Sequence, residues 1–140
     1  MTADLIAFLQ ARLEHDEAVA REATPGPWRN APTARHHDTV SGRPEEAVFG
    51  YDSFRVATTG EPAGRRALVN AEHIARHDPA RVLAEVEAKR RIVRAHAKWC
   101  EGRCEAKYPE GGFDAAHYWS IKSLAATYAD HPDYREEWRP

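Results

Sequence analysis

The chain has 140 residues, of which 42% are hydrophobic and 30% charged, with a formal net charge of -2. That length suits one domain, and the apolar share is too high for a disordered chain. The near-neutral charge provides no global attraction to nucleic acid, no run of about 18 apolar residues offers a membrane span, and two cysteines exclude a disulfide framework.

The opening stretch, MTADLIAFLQARLEHDEA, lacks the basic region and small-residue cleavage site of a signal peptide. The expected location is therefore cytoplasmic. Leu5, Ile6, Leu9, Leu13 and Ala20 recur at helical spacing, which predicts a helix over residues 3–22 with Thr2 as its N-cap. The helix must stop before ATPGPW, because Thr24 precedes a proline and Pro25-Gly26-Pro27 cannot continue it. These three residues read as a rigid corner, with Trp28 as a buried apolar anchor behind it.

Residues 29–47 carry a loop composition, including His36-His37-Asp38, which reads as solvated. EAVFGY and SFRVATT then read as strands, so residues 27–60 are expected to hold a loop and a small antiparallel sheet of two or three strands.

Residues 65–129 are predicted helical. Asp78-Pro79 divides them, Asp78 as N-cap and Pro79 in the first turn of a new helix. Val82, Leu83, Val86, Ile92 and Val93 form the apolar face of that helix, and Glu87 with Arg91 is a favourable i,i+4 pair. Gly102 ends it. Asp114 is expected to cap a last helix that faces Tyr118, Ile121, Leu124, Ala125 and Tyr128 inward. Residues 130–140 form a tail with Tyr134 and Trp138 available to dock. The expectation is a single α+β domain over residues 1–140: an N-terminal helix, a small antiparallel sheet and three C-terminal helices packed on it.

Four groups of residues are chemically suggestive. His96, Cys100 and Cys104 recur at i, i+4, i+8, and imidazole with thiolate suits zinc; His117 is the candidate fourth ligand. Gly102 interrupts the pattern, which matches no Cys-x-x-Cys signature, and the alternative is a buried Cys100 with Cys104 a loop thiol. His73 and His77 share one helix face without a third ligand, and His77 suits a helix C-terminus. Arg90, Arg94 and Lys98 line one face and suit phosphates, although Glu85, Glu87, Glu101 and Glu105 counter them. Asn70 is a candidate for tying helix to sheet through its amide. No phosphate-loop, dinucleotide, nucleophile-elbow or His-Glu-x-x-His motif is present, so nothing marks a common catalytic class.

Three pieces together, ATPGPW, NAEHIARHDPARVLAEVEAKRRIV and YADHPDYREEW, resemble a family of small uncharacterised proteins of actinobacteria and their phages. The resemblance implies phage or mobile-element ancestry and brings no catalytic residues. The leading expectation is an accessory protein that binds a host or phage protein through surplus aromatics, namely Trp99, Trp119, Tyr134 and Trp138. The alternatives are a nucleic-acid binder using Arg90, Arg94 and Lys98, and a small zinc protein; no other cofactor is expected.

Overall fold

The computed structural model describes residues 2–33, 43–100, 102–108 and 111–140. Its elements are α1 (Thr2–Glu22), β1 (Arg29–Pro32), β2 (Glu46–Phe49), β3 (Arg55–Gly60), α2 (Arg65–Arg76), α3 (Pro79–Trp99), α4 (Cys104–Lys107) and α5 (Gly112–Ala125), with 3-10 turns at Ala126–Tyr128 and Glu136–Trp138. The α+β class is as expected. Among the described residues no helix is long and apolar enough to cross a membrane. His36, His37 and Asp38 lie outside the described residues.

The chain divides into two compact units, Ala18–Ala84 and Met1–Glu17 with Glu85–Pro140. In the first, the three strands run antiparallel in the order β1-β2-β3, with Ala31 opposite Ala47 and Val48 opposite Ala57. The central strand is the most buried, since neighbours flank it on both sides: Ala47 and Val48 are fully covered. β1 is an edge strand, which tolerates Pro32. α2 packs on all three strands and buries Ala67 and Ala71. Asn70 lies exposed on α2; the bond from sheet to helix comes from Thr59, whose hydroxyl donates to the Ala67 carbonyl at 2.8 Å.

The proline corner also belongs to this unit. Trp28 is half-buried and not the deep anchor expected. Its indole N–H donates to the Thr24 carbonyl at 2.7 Å, which folds the ring back on its own corner. The corner is held from outside by two other residues. Tyr51 donates its amide to the Pro25 carbonyl at 3.0 Å. Asp78 reaches the Trp28 amide with one carboxylate oxygen, at 3.4 Å, and caps α3 with the other, accepting from the Arg81 amide at 3.0 Å.

In the second unit Leu5, Leu9 and Leu13 of α1 are fully buried, with Phe8 beside them. Each such leucine contributes about 1.5–3 kcal/mol by leaving water. The tail docks on this helix: the Phe8 ring lies 5.0 Å from Trp138 and 5.9 Å from Tyr134. Trp138 is only 2% exposed, so it is a core residue and not a free interface aromatic.

Three local expectations fail here. Thr2 is the first residue of α1, not its cap, because its amide and hydroxyl both donate to Glu105. Asp114 sits in the first turn of α5, buried and 3.5 Å from Arg103, so it serves an ion pair and not the cap. Ile92 is exposed, and the inward line of α3 runs through Val86, Val93 and His96.

Candidate metal centre

α3 ends at Trp99, but the Cys100 amide still donates to the His96 carbonyl at 2.8 Å, so Cys100 remains one turn beyond His96. Gly102, at φ 78°, then reverses the chain in a conformation that disfavours a side chain. The chain re-enters a helical turn at Cys104. This break and restart keep all three residues together: one donor atom each from His96, Cys100 and Cys104 lies within 4.8 Å of the others. Among the described residues this is the sole such group of three or more potential metal ligands.

The burial reverses the sequence reading of the cysteines, for Cys104 is buried and Cys100 half-exposed. His96 is 4% exposed, and neither ring nitrogen has a hydrogen-bond partner among the described residues. Leaving a buried polar group unpaired costs about 1–3 kcal/mol. Burial pushes the His96 pKa below its ordinary value, and the neighbouring His117 pushes the same way, which favours the neutral imidazole that a metal needs. Burial raises the Cys104 thiol, and the adjacent Cys100 raises it further. For Cys100 burial acts upward too, but hydrogen bonds from Cys104 and the amides of Gly102, Arg103 and Cys104 outweigh it and lower the pKa.

A tetrahedral zinc site with bonds of about 2.0–2.3 Å places its donors about 3.5–3.8 Å apart. The observed group, within 4.8 Å, is wider by at most about 1.3 Å, a gap of the size that side-chain rotation spans. His117, the candidate fourth ligand, is near but outside the group. Its ring centroid is 6.3 Å from that of His96, and it packs edge-on against Phe113 at 4.4 Å.

Beside the three donors lies an open cleft of about 350 Å³, bordered also by Thr2, Ala3, Ile6, Ala97 and Glu105. The sequence marks Thr2 only as a cap and Glu105 only as a counter-charge, and not the two as a pair. They lie 103 positions apart, and no local pattern signals their bond. The inwardness of His96 did have a signal, because it continues the Val86 and Val93 stripe at helical spacing.

The other candidates are placed as follows. His73 and His77 are exposed, with rings 4.4 Å apart; His77 is the C-cap of α2 and donates to the His73 carbonyl at 2.7 Å. In the basic strip, Arg90 pairs with Glu17 at 2.6 Å and Arg94 with Glu87 at 2.7 Å, while Lys98 lies over the Trp99 ring. Glu87 also holds Arg91, at 3.2 Å. Pro79 is buried at the start of α3.

Fold and site together define a small α+β protein with a His-Cys-Cys cluster set at the end of a long helix. The chain belongs to the family of unknown function DUF6221, whose model matches residues 2–140. No curated protein matches it, and neither does any solved structure.

Proposed function

We propose that this protein is a small zinc-binding protein in which His96, Cys100 and Cys104 hold the ion. The observation that carries this reading is the buried His96 ring, both nitrogens unpartnered, beside two thiols. An apolar residue would fill that place in α3 at no polar cost, and a metal bond gives the imidazole the partner it lacks. Metal-holding thiols must be reduced, which is in keeping with the expected cytoplasmic setting.

Cobalt titration of reduced protein tests the reading. One equivalent is expected to produce thiolate-to-cobalt charge-transfer absorption, competed away by zinc, and Cys100→Ser is expected to weaken it strongly. Cys100 is half-exposed, so that variant keeps its fold, which near-UV circular dichroism verifies. Reduced protein that takes up no cobalt or zinc in stoichiometric amount refutes the proposal.

A second reading has its own support. Trp99, Phe113 and Trp119 are each more than half exposed. Exposed aromatics of this size suit recognition of another protein, in keeping with an accessory protein of phage or mobile-element type acting on a host or phage partner. Trp99→Ala and Trp119→Ala test it, because both leave the core intact. If neither weakens a complex that the unaltered protein forms, this reading fails.

A further inference from the structure

We infer that the metal held by His96, Cys100 and Cys104 presents an exchangeable fourth coordination position to the adjoining cleft, and that the position takes a small neutral oxygen- or nitrogen-donor ligand. The inference rests on the metal reading above and goes beyond it. A structural zinc site is closed by four protein donors, whereas three protein donors leave one place for water or a small molecule.

Two further described residues carry a donor beside this group, and neither belongs to it. His117 is excluded from the cluster, packed against Phe113, and does not border the cleft. Glu105 borders the cleft, but its Oε1 accepts from both the amide and the hydroxyl of Thr2. The cleft itself opens beside all three ligands, so an occupant of about 350 Å³ of space has direct access to the ion.

The chemical class follows from charge and surface. A divalent ion with two thiolates and one neutral imidazole sums to zero charge. Glu105 adds a negative charge at the rim, so a further anion is repelled. Ala3, Ile6 and Ala97 line the remaining wall with apolar groups, which favours an uncharged body carrying one donor atom.

The cobalt-loaded protein provides the test, with imidazole as the neutral probe and azide as the anionic one. Imidazole is expected to shift the visible ligand-field bands saturably while the thiolate charge-transfer band persists, and azide to act at least tenfold more weakly. Ile6→Trp, which fills the cleft, is expected to suppress the imidazole response and leave cobalt uptake unchanged. His117→Ala is expected to alter neither. Cobalt protein that binds tightly yet ignores saturating imidazole overturns this inference alone, as does a hundredfold loss of metal affinity in His117→Ala or an undiminished response in Ile6→Trp. A chain that takes up no cobalt removes the metal reading and this inference together.

Discussion

The imidazole of His96 and the thiol of Cys104 lie within 4.8 Å of each other although the helix carrying His96 ends before Cys104 begins. Gly102 makes this possible, since its positive φ reverses the chain and returns Cys104 to the face that His96 occupies. A continuous helix would also bring i and i+8 to one face, but about 12 Å apart along its axis. The break brings them to chelating distance.

Zinc is expected to stabilise the fold. A ligand that binds only the folded state at a hundred times its dissociation constant adds about 2.7 kcal/mol. Urea unfolding with buffered zinc and with chelator measures the difference. Cys104→Ala should abolish it, and equal midpoints in the two conditions for the unaltered chain would contradict the prediction.

The metal-free protein is expected to lose stability as pH falls through the range just below 6.5. His96 has a folded pKa below its ordinary value, mainly through burial and secondarily through His117. The unfolded chain therefore binds a proton that the folded chain refuses, and stability rises with pH between the folded value and the unfolded one of about 6.5. The contribution is intact above that window and is lost on acidification. Denaturation midpoints at pH 7 and pH 5, in chelator, should converge in His96→Leu relative to the unaltered chain.

Trp138→Ala is expected to cost about 3–5 kcal/mol, the usual range for removing a buried aromatic ring. The ring is buried against Phe8 and anchors the C-terminal tail. Urea denaturation measures the loss, and a change under about 1 kcal/mol would mean that the tail packs independently of its tryptophan.

Gly50→Ala should destabilise the proline corner by about 1–3 kcal/mol, as overpacking does. A methyl group there collides with the Thr24 side chain and comes 3.0 Å from the Pro25 carbonyl oxygen. Asp78→Ala should cost about 1 kcal/mol through the lost cap on α3. Both are read from thermal unfolding, and Gly50→Ala at parity with the unaltered protein would show that the corner yields freely.

Local signals in the sequence determined the long helices, the corner and the divide at Asp78-Pro79, but not the short α4 that starts at Cys104. Periodicity, proline geometry and capping act within a few residues, so they survive without knowledge of the fold. The i, i+4, i+8 spacing also named His96, Cys100 and Cys104 as a group. Tertiary structure alone decided which of these atoms are dry, which thiol is buried, and that His96 has no described partner. It also decided that Lys122 is buried with its ammonium over Tyr108 and Tyr118, and that Thr2 meets Glu105. Burial depends on what covers a residue, and the covering groups arrive from distant parts of the chain; spacing along one helix carries no record of them.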